Sequence, residues 1–131
     1  MGDVLSPTPL ANGGSVGFLR VFHVESFRGG MNRLLLRAMP TDENPERVEV
    51  LFQYVQHVDL PMSFEGLTIE DATEADGAED PWSAVLAQYP ECRVYRLMSG
   101  GRIVGRAAAS ACVHGRDEEP IGAPSMFPMM G

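Results

Sequence analysis

Between Arg47 and Leu60 hydrophobic and polar positions alternate with a period of two. The even positions carry Val48, Val50, Phe52, Tyr54, Gln56, Val58 and Leu60, six of seven apolar or aromatic; the odd ones carry Arg47, Glu49, Leu51, Gln53, Val55, His57 and Asp59. Successive side chains of a strand leave on opposite faces, so this pattern predicts a strand with one face on a core and the other mostly in water. Fourteen residues exceed the usual strand length, and a bulge or bend is expected near Gln56 to His57 before Pro61 ends the element.

Similar alternation recurs on both sides. Ser15 to Phe27 places Val16, Phe18, Phe22 and Val24 on one parity and Leu19 and Val21 on the other, which predicts a central strand with apolar residues on both faces. Turn residues from Arg28 to Asn32 lead into a second strand, Arg33 to Met39, and the two should form a hairpin. A short strand is expected around Leu67 and Ile69. Glu91 to Met98 and Ile103 to His114 form a last hairpin about Gly100-Gly101.

One helix interrupts the strands. Asp80 is the expected N-cap and Pro81 the first helical position, with Trp82, Val85, Leu86 and Tyr89 at i, i+3, i+4 and i+7 as a stripe that should lie on the sheet. Such a stripe is core material before it is an interface anchor. The strand from Ile103 carries a row of small residues, Gly105, Ala107, Ala109 and Ala111 on one parity. Small side chains admit a close neighbour: the Trp82 helix, another sheet, or a second copy of the chain. Alanine also favours helix, the local rival for this segment.

The expected fold is α+β and mostly β, with about six largely antiparallel strands in a curled sheet or small sandwich and one short helix packed on it. Residues 1–14, with Pro7, Pro9, Asn12, Gly13 and Gly14 and no periodicity, read as an N-terminal arm. Residues 15–115 read as a single β-rich domain, and 116–131 as a C-terminal tail. At 131 residues and 44% hydrophobic content, one domain can bury a core without staples. No apolar run approaches the roughly 20 residues of a membrane helix, and the first fourteen residues lack the pattern of a signal peptide. A cytoplasmic protein is expected.

Charge narrows the chemistry further. The net charge is −8, and all ten basic residues are arginine. Lysine-dependent chemistry is excluded. No base lies between Arg47 and Arg93, where ten carboxylates fall; the rest of the chain has ten arginines against eight acids. An acidic middle repels nucleic-acid backbones and attracts a basic partner, although the plainer reading is a solvated surface. Arg33, Arg37, Arg93, Arg96, Arg102 and Arg106 are candidates for an anion-binding face, against which the interleaved acids argue.

Catalytic and metal patterns are weak. Across a two-residue Gly-Gly loop, paired residue numbers sum to 201, which puts Cys92 opposite Ala109 and Cys112 on the other face. The two thiols should not meet, and both read as small buried hydrophobes of a reducing compartment. His23, His57 and His114 share no metal-type spacing, and Cys112-Val113-His114 is only a fragment of a zinc motif. Aligning Asp76-Gly77 on an EF-hand loop puts Ala72 and Ser83 where donors are needed, so that motif fails. A looser calcium site from Asp71, Glu74, Asp76 and Glu79 competes with a solvated acidic loop. No nucleophile elbow or dinucleotide fingerprint occurs. No catalytic residue, cofactor or metal ligand is assigned.

The functional expectation is a non-enzymatic protein-binding module, in one version an acidic inhibitor or immunity-type protein neutralising a basic partner. Its contacts are expected from Glu65, Glu70, Asp71, Glu74, Asp76, Glu79 and Asp80 and from the apolar tail residues Met126, Phe127, Met129 and Met130. That tail either folds back onto an apolar patch or docks on the partner. Two alternatives follow from other features. One is a structural subunit of a homo-oligomer or particle, its arms packing on neighbouring copies. The other is a small enzyme or ligand carrier with a histidine in a sheet-lined pocket.

Overall fold

The computed structural model describes residues 8–28, 32–118 and 127, with the backbone alone at 26–28. Among these residues nine strands appear: β1 (Thr8–Pro9), β2 (Ser15–Arg28), β3 (Arg33–Ala38), β4 (Arg47–Gln53), β5 (His57–Asp59), β6 (Ser63–Asp71), β7 (Arg93–Ser99), β8 (Arg102–Ala109) and β9 (Ala111–Asp117). A single helical turn, α1 (Thr73–Asp76), precedes the helix α2 (Trp82–Gln88). All strands belong to one antiparallel sheet of order β1-β9-β4-β3-β2-β6-β7-β8-β5.

The strand count exceeds the expected six for three physical reasons. Tyr54, at φ 53°, breaks the long segment into β4 and β5 two residues before the anticipated bend. Ser110 breaks its partner into β8 and β9. Thr8–Pro9, inside the expected arm, adds to β9 through backbone pairing, which needs no side-chain period.

Those two breaks make a shared corner. β4 pairs with β9 and β5 with β8, so the sheet's order doubles back where β4 passes into β5. Ser110 N–H donates to the Gln53 carbonyl at 2.9 Å, and Gln56 N–H to the Ala108 carbonyl at 2.8 Å, tying the corner. The sheet is curled around one interior without closing into a continuous ladder. Gly105 is needed on this wall, because a Cβ there would sit 2.5 Å from the Asp59 carbonyl oxygen of β5.

The even face of β4 points inward. Val48, Val50 and Phe52 join Phe22, Phe64 and Leu97 in the main core, and after the break at Tyr54 the parity switches so that Val55 is buried instead. Its odd face is a correction to the sequence expectation: Arg47, Glu49 and Leu51 are buried, not in water. Leu51 packs with Leu35 and Phe127 in a second cluster on the outer side of the sheet.

The small residues of β8 divide between two clusters. Ala107 and Ala109 face the main core, whereas Ala108 lies with Val94 beneath Trp82, Val85 and Leu86 of α2. The helix is thus the close neighbour of Ala108 on one parity, while the expected row on the other parity meets the sheet's own interior and, at Gly105, β5. His57 completes the contact, its ring meeting Trp82 edge-on at 4.9 Å. Pro81, not Asp80, occupies the N-cap position; the Asp80 carboxylate accepts a short hydrogen bond from Ser83 Oγ, and Tyr89 lies past the helix as its C-cap.

The β7–β8 hairpin pairs with number sum 201 beside the Gly-Gly turn and 202 beyond a bulge at Leu97/Met98. Cys92 and Cys112 are both buried and free. Burial raises both thiols above their ordinary value, with Glu91 adding to the effect at Cys92. A thiol reagent at pH 8 is therefore expected to label neither quickly in the native protein and both in denaturant. Rapid native labelling of Cys112 would contradict this packing.

Candidate functional site

The expected acidic docking segment is divided by the fold. Asp71, at the end of β6, is buried and accepts four hydrogen bonds: from Gly13 N at 3.0 Å, Thr73 N at 3.1 Å, Thr73 Oγ1 at 2.6 Å and Arg93 Nε at 2.9 Å. Asp76, in α1, is also buried. It accepts from Arg96 Nη2 at 2.7 Å and Nε at 3.1 Å, and from Arg106 Nε at 2.9 Å. Both carboxylates therefore hold α1 and the β6–β7–β8 wall together. Glu70 pairs loosely with Arg96 at 3.4 Å. Glu65, Glu74, Glu79 and Asp80 are exposed.

The tail divides similarly. Phe127 is buried against Leu35 and Leu51, so this residue folds back on its own sheet. Met126, Met129 and Met130 lie outside the described residues.

The arginine face expected from the sequence is occupied by internal partners. Arg37 donates to Glu49 at 2.7 Å and to Glu25 at 3.0 Å, while Arg93, Arg96 and Arg106 serve Asp71 and Asp76. Arg102 is exposed at the hairpin turn. The histidines are dispersed: His57 lies against Trp82, His114 is half-buried with its ring 5.7 Å from Phe18, and His23 is exposed. Burial, then the charge of Arg116, lowers the His114 pKa. His23 and Glu43 share a shallow pocket of about 360 Å³, yet no hydrogen bond joins them. Among the described residues no group of three His, Cys, Asp or Glu side chains converges as a metal site.

A different surface emerges on β2. Its ladder with β6 slips between Phe18↔Leu67 and Val21↔Glu65, so Leu19 and Arg20 stand opposite the single residue Gly66, whose φ is 74°. A bulge of this kind re-aims side chains, and Leu19 is left 97% exposed with Val21 51% exposed. Three surface pockets share Leu19 as a wall, one between β2, β6 and the β7–β8 turn, one beside Met39–Asn44, and one reaching Arg116. Phe127 covers part of the outer sheet at β3–β4, and Trp82 covers part at β7–β8. Among the described residues nothing covers Leu19 and Val21 in this way.

Sequence reading missed this face, since apolar residues on both parities of β2 predict equally a strand covered twice and a strand with one side left for a partner. Compared with known proteins, the chain matches no family, no curated protein and no solved structure.

Proposed function

We infer that the chain is a protein-binding module whose outer β2–β6 face receives the partner. The carrying observation is Leu19, almost fully exposed at a bulge that separates it from the core while its neighbours Phe18 and Phe22 are buried. Removing such a side chain from water on docking contributes about 1.5–3 kcal/mol, the size of a binding anchor. Val21 stands directly opposite Glu65, and Glu25 lies on the same strand. That combination suits a partner with an apolar socket rimmed by basic residues, in keeping with an acidic inhibitor of a cationic target. The acidic contribution rests on exposed carboxylates such as Glu65, because Asp71 and Asp76 are engaged internally.

The test compares partner retention by the full chain, Leu19→Asp and Glu65→Arg during purification from the native host. Both substitutions fall on exposed positions and should leave the melting temperature within about 2 °C of the parent. Loss of the same bound protein from both variants supports the reading. Retention by Leu19→Asp at unchanged stability refutes it.

A further inference from the structure

On the far side of Leu19 from Glu65, a pocket of about 290 Å³ is lined by Gly17, Leu19, Arg20, Asn44, Glu46 and Arg116, among others. Its arginines differ from five others among the described residues. Arg37, Arg47, Arg93, Arg96 and Arg106 each meet a carboxylate at 3.0 Å or closer. Arg20 instead donates through Nη2 to two main-chain carbonyls, Met39 at 2.8 Å and Glu46 at 2.7 Å. It has no carboxylate within ion-pairing distance among the described residues.

Two carbonyl oxygens hold the guanidinium in place but carry no formal charge to balance it. Nε and Nη1 remain for another acceptor. Across the pocket, Arg116 reaches Glu46 only at 3.6 Å, the longest ion pair among the described residues, and its side chain is half-exposed. The pocket thus holds two guanidinium groups and one carboxylate, a local excess of +1 on a chain of net charge −8. Burial lowers the Arg20 pKa, with Glu46 opposing and Arg116 reinforcing that effect, consistent with a positive charge lacking its full complement.

We propose that Arg20 and Arg116 form a binding site for an oxyanion, a carboxylate or phosphate group, seated between the two guanidinium planes. A guanidinium offers parallel N–H donors spaced for two oxygens, and one fixed beforehand loses little side-chain freedom on binding. Asn44 adds an amide to the rim, and Leu19, Phe18 and Val48 give an apolar flank for a substituent carried by the anion. The site stands on Arg20 and Arg116 whether or not a protein docks beside Leu19.

The experiment is a titration followed by backbone amide resonances, with inorganic phosphate and pentanoate as separate probes at constant ionic strength. Saturable shifts at Leu19, Arg20, Asn44 and Arg116 are expected with at least one probe, and the two arms distinguish phosphate from carboxylate. Arg116→Gln should weaken the binding at least about fivefold without altering the fold, and Arg20→Gln should abolish it. Arg102→Gln, removing an exposed arginine elsewhere, should bind as the parent does. Absence of saturation with both probes overturns the proposal, as does parental affinity in Arg116→Gln.

Discussion

Asp117→Ala is expected to lower unfolding stability by about 3–5 kcal/mol, the range found when one member of a buried ion pair is removed. Asp117 accepts from Arg47 Nε at 3.0 Å and Nη2 at 2.6 Å, and each side chain is only 1% exposed. Truncation leaves a guanidinium in a dry site without the carboxylate it meets through two hydrogen bonds. The double substitution Arg47→Met with Asp117→Leu should recover most of that loss, since neither replacement demands hydration. Urea unfolding followed by circular dichroism measures both, provided the slope is unchanged. A cost below about 1 kcal/mol for Asp117→Ala would place the pair with ordinary surface ion pairs and contradict its burial.

That pair also bears on register. Arg47 lies opposite Asp117 at the first rung of the β4–β9 ladder, and a slip by one residue would turn Val48, Val50 and Phe52 out of the core. Attraction between these two charges is available only in the observed register. The double apolar variant is thus expected to be stable yet less selective in strand pairing, visible as extra amide resonances for β4 and β9.

Much of this architecture could be read from alternation. The strands around Phe18, Leu36, Val50 and Leu97, both hairpins and the Trp82 stripe follow from period and turn residues, because inward-facing side chains must recur at fixed spacing. What alternation cannot encode is the neighbour of each strand. Leu51 and Glu49 on the odd face of β4 are buried where alternation predicted water, because the outer side of β3, β4 and β9 is covered, a fact of tertiary assembly. Tyr54 ends β4 before the anticipated bend at φ 53°, a conformation that non-glycine residues seldom adopt and that a tyrosine in an alternating run does not announce.

The candidate sites were less legible for the same reason. A run of acids from Glu65 to Asp80 looks uniform in one dimension. Folding sorts it, since Asp71 and Asp76 meet arginines twenty to thirty residues away while Glu65, Glu74, Glu79 and Asp80 face solvent. Arg20, conversely, looks like any arginine in a strand. Only the backbone carbonyls of Met39 and Glu46, brought beside it by the loop between β3 and β4, distinguish it.

Acid should expose this sorting directly. Hydrogen bonding from Arg96, opposed by burial and assisted by Arg106, holds the Asp76 carboxyl below its ordinary value. At Asp71 burial alone would raise the pKa, but hydrogen bonds from Thr73, Gly13 and Arg93 together outweigh it and the net shift is downward. Carboxylates lowered in the folded state stabilise it fully above their unfolded value of about 4, and that contribution is lost as pH falls through the folded values. His114 acts in the same direction, since a lowered imidazole pKa favours the neutral ring and its contribution fades on acidification below about pH 6.5. Stability is therefore expected to be level between about pH 7 and pH 8, to decline gently towards pH 5, and to fall steeply below about pH 4. Asp76→Asn should cost about 2–3 kcal/mol at neutral pH, because Arg96 and Arg106 lose their shared carboxylate, and it should flatten the steep acid limb. Glu74→Gln, at an exposed position, should do neither. Urea midpoints measured from pH 3 to pH 8 decide the matter: parallel curves for Asp76→Asn and the parent down to pH 3 would show that α1 is held to the β7–β8 wall by something other than this carboxylate.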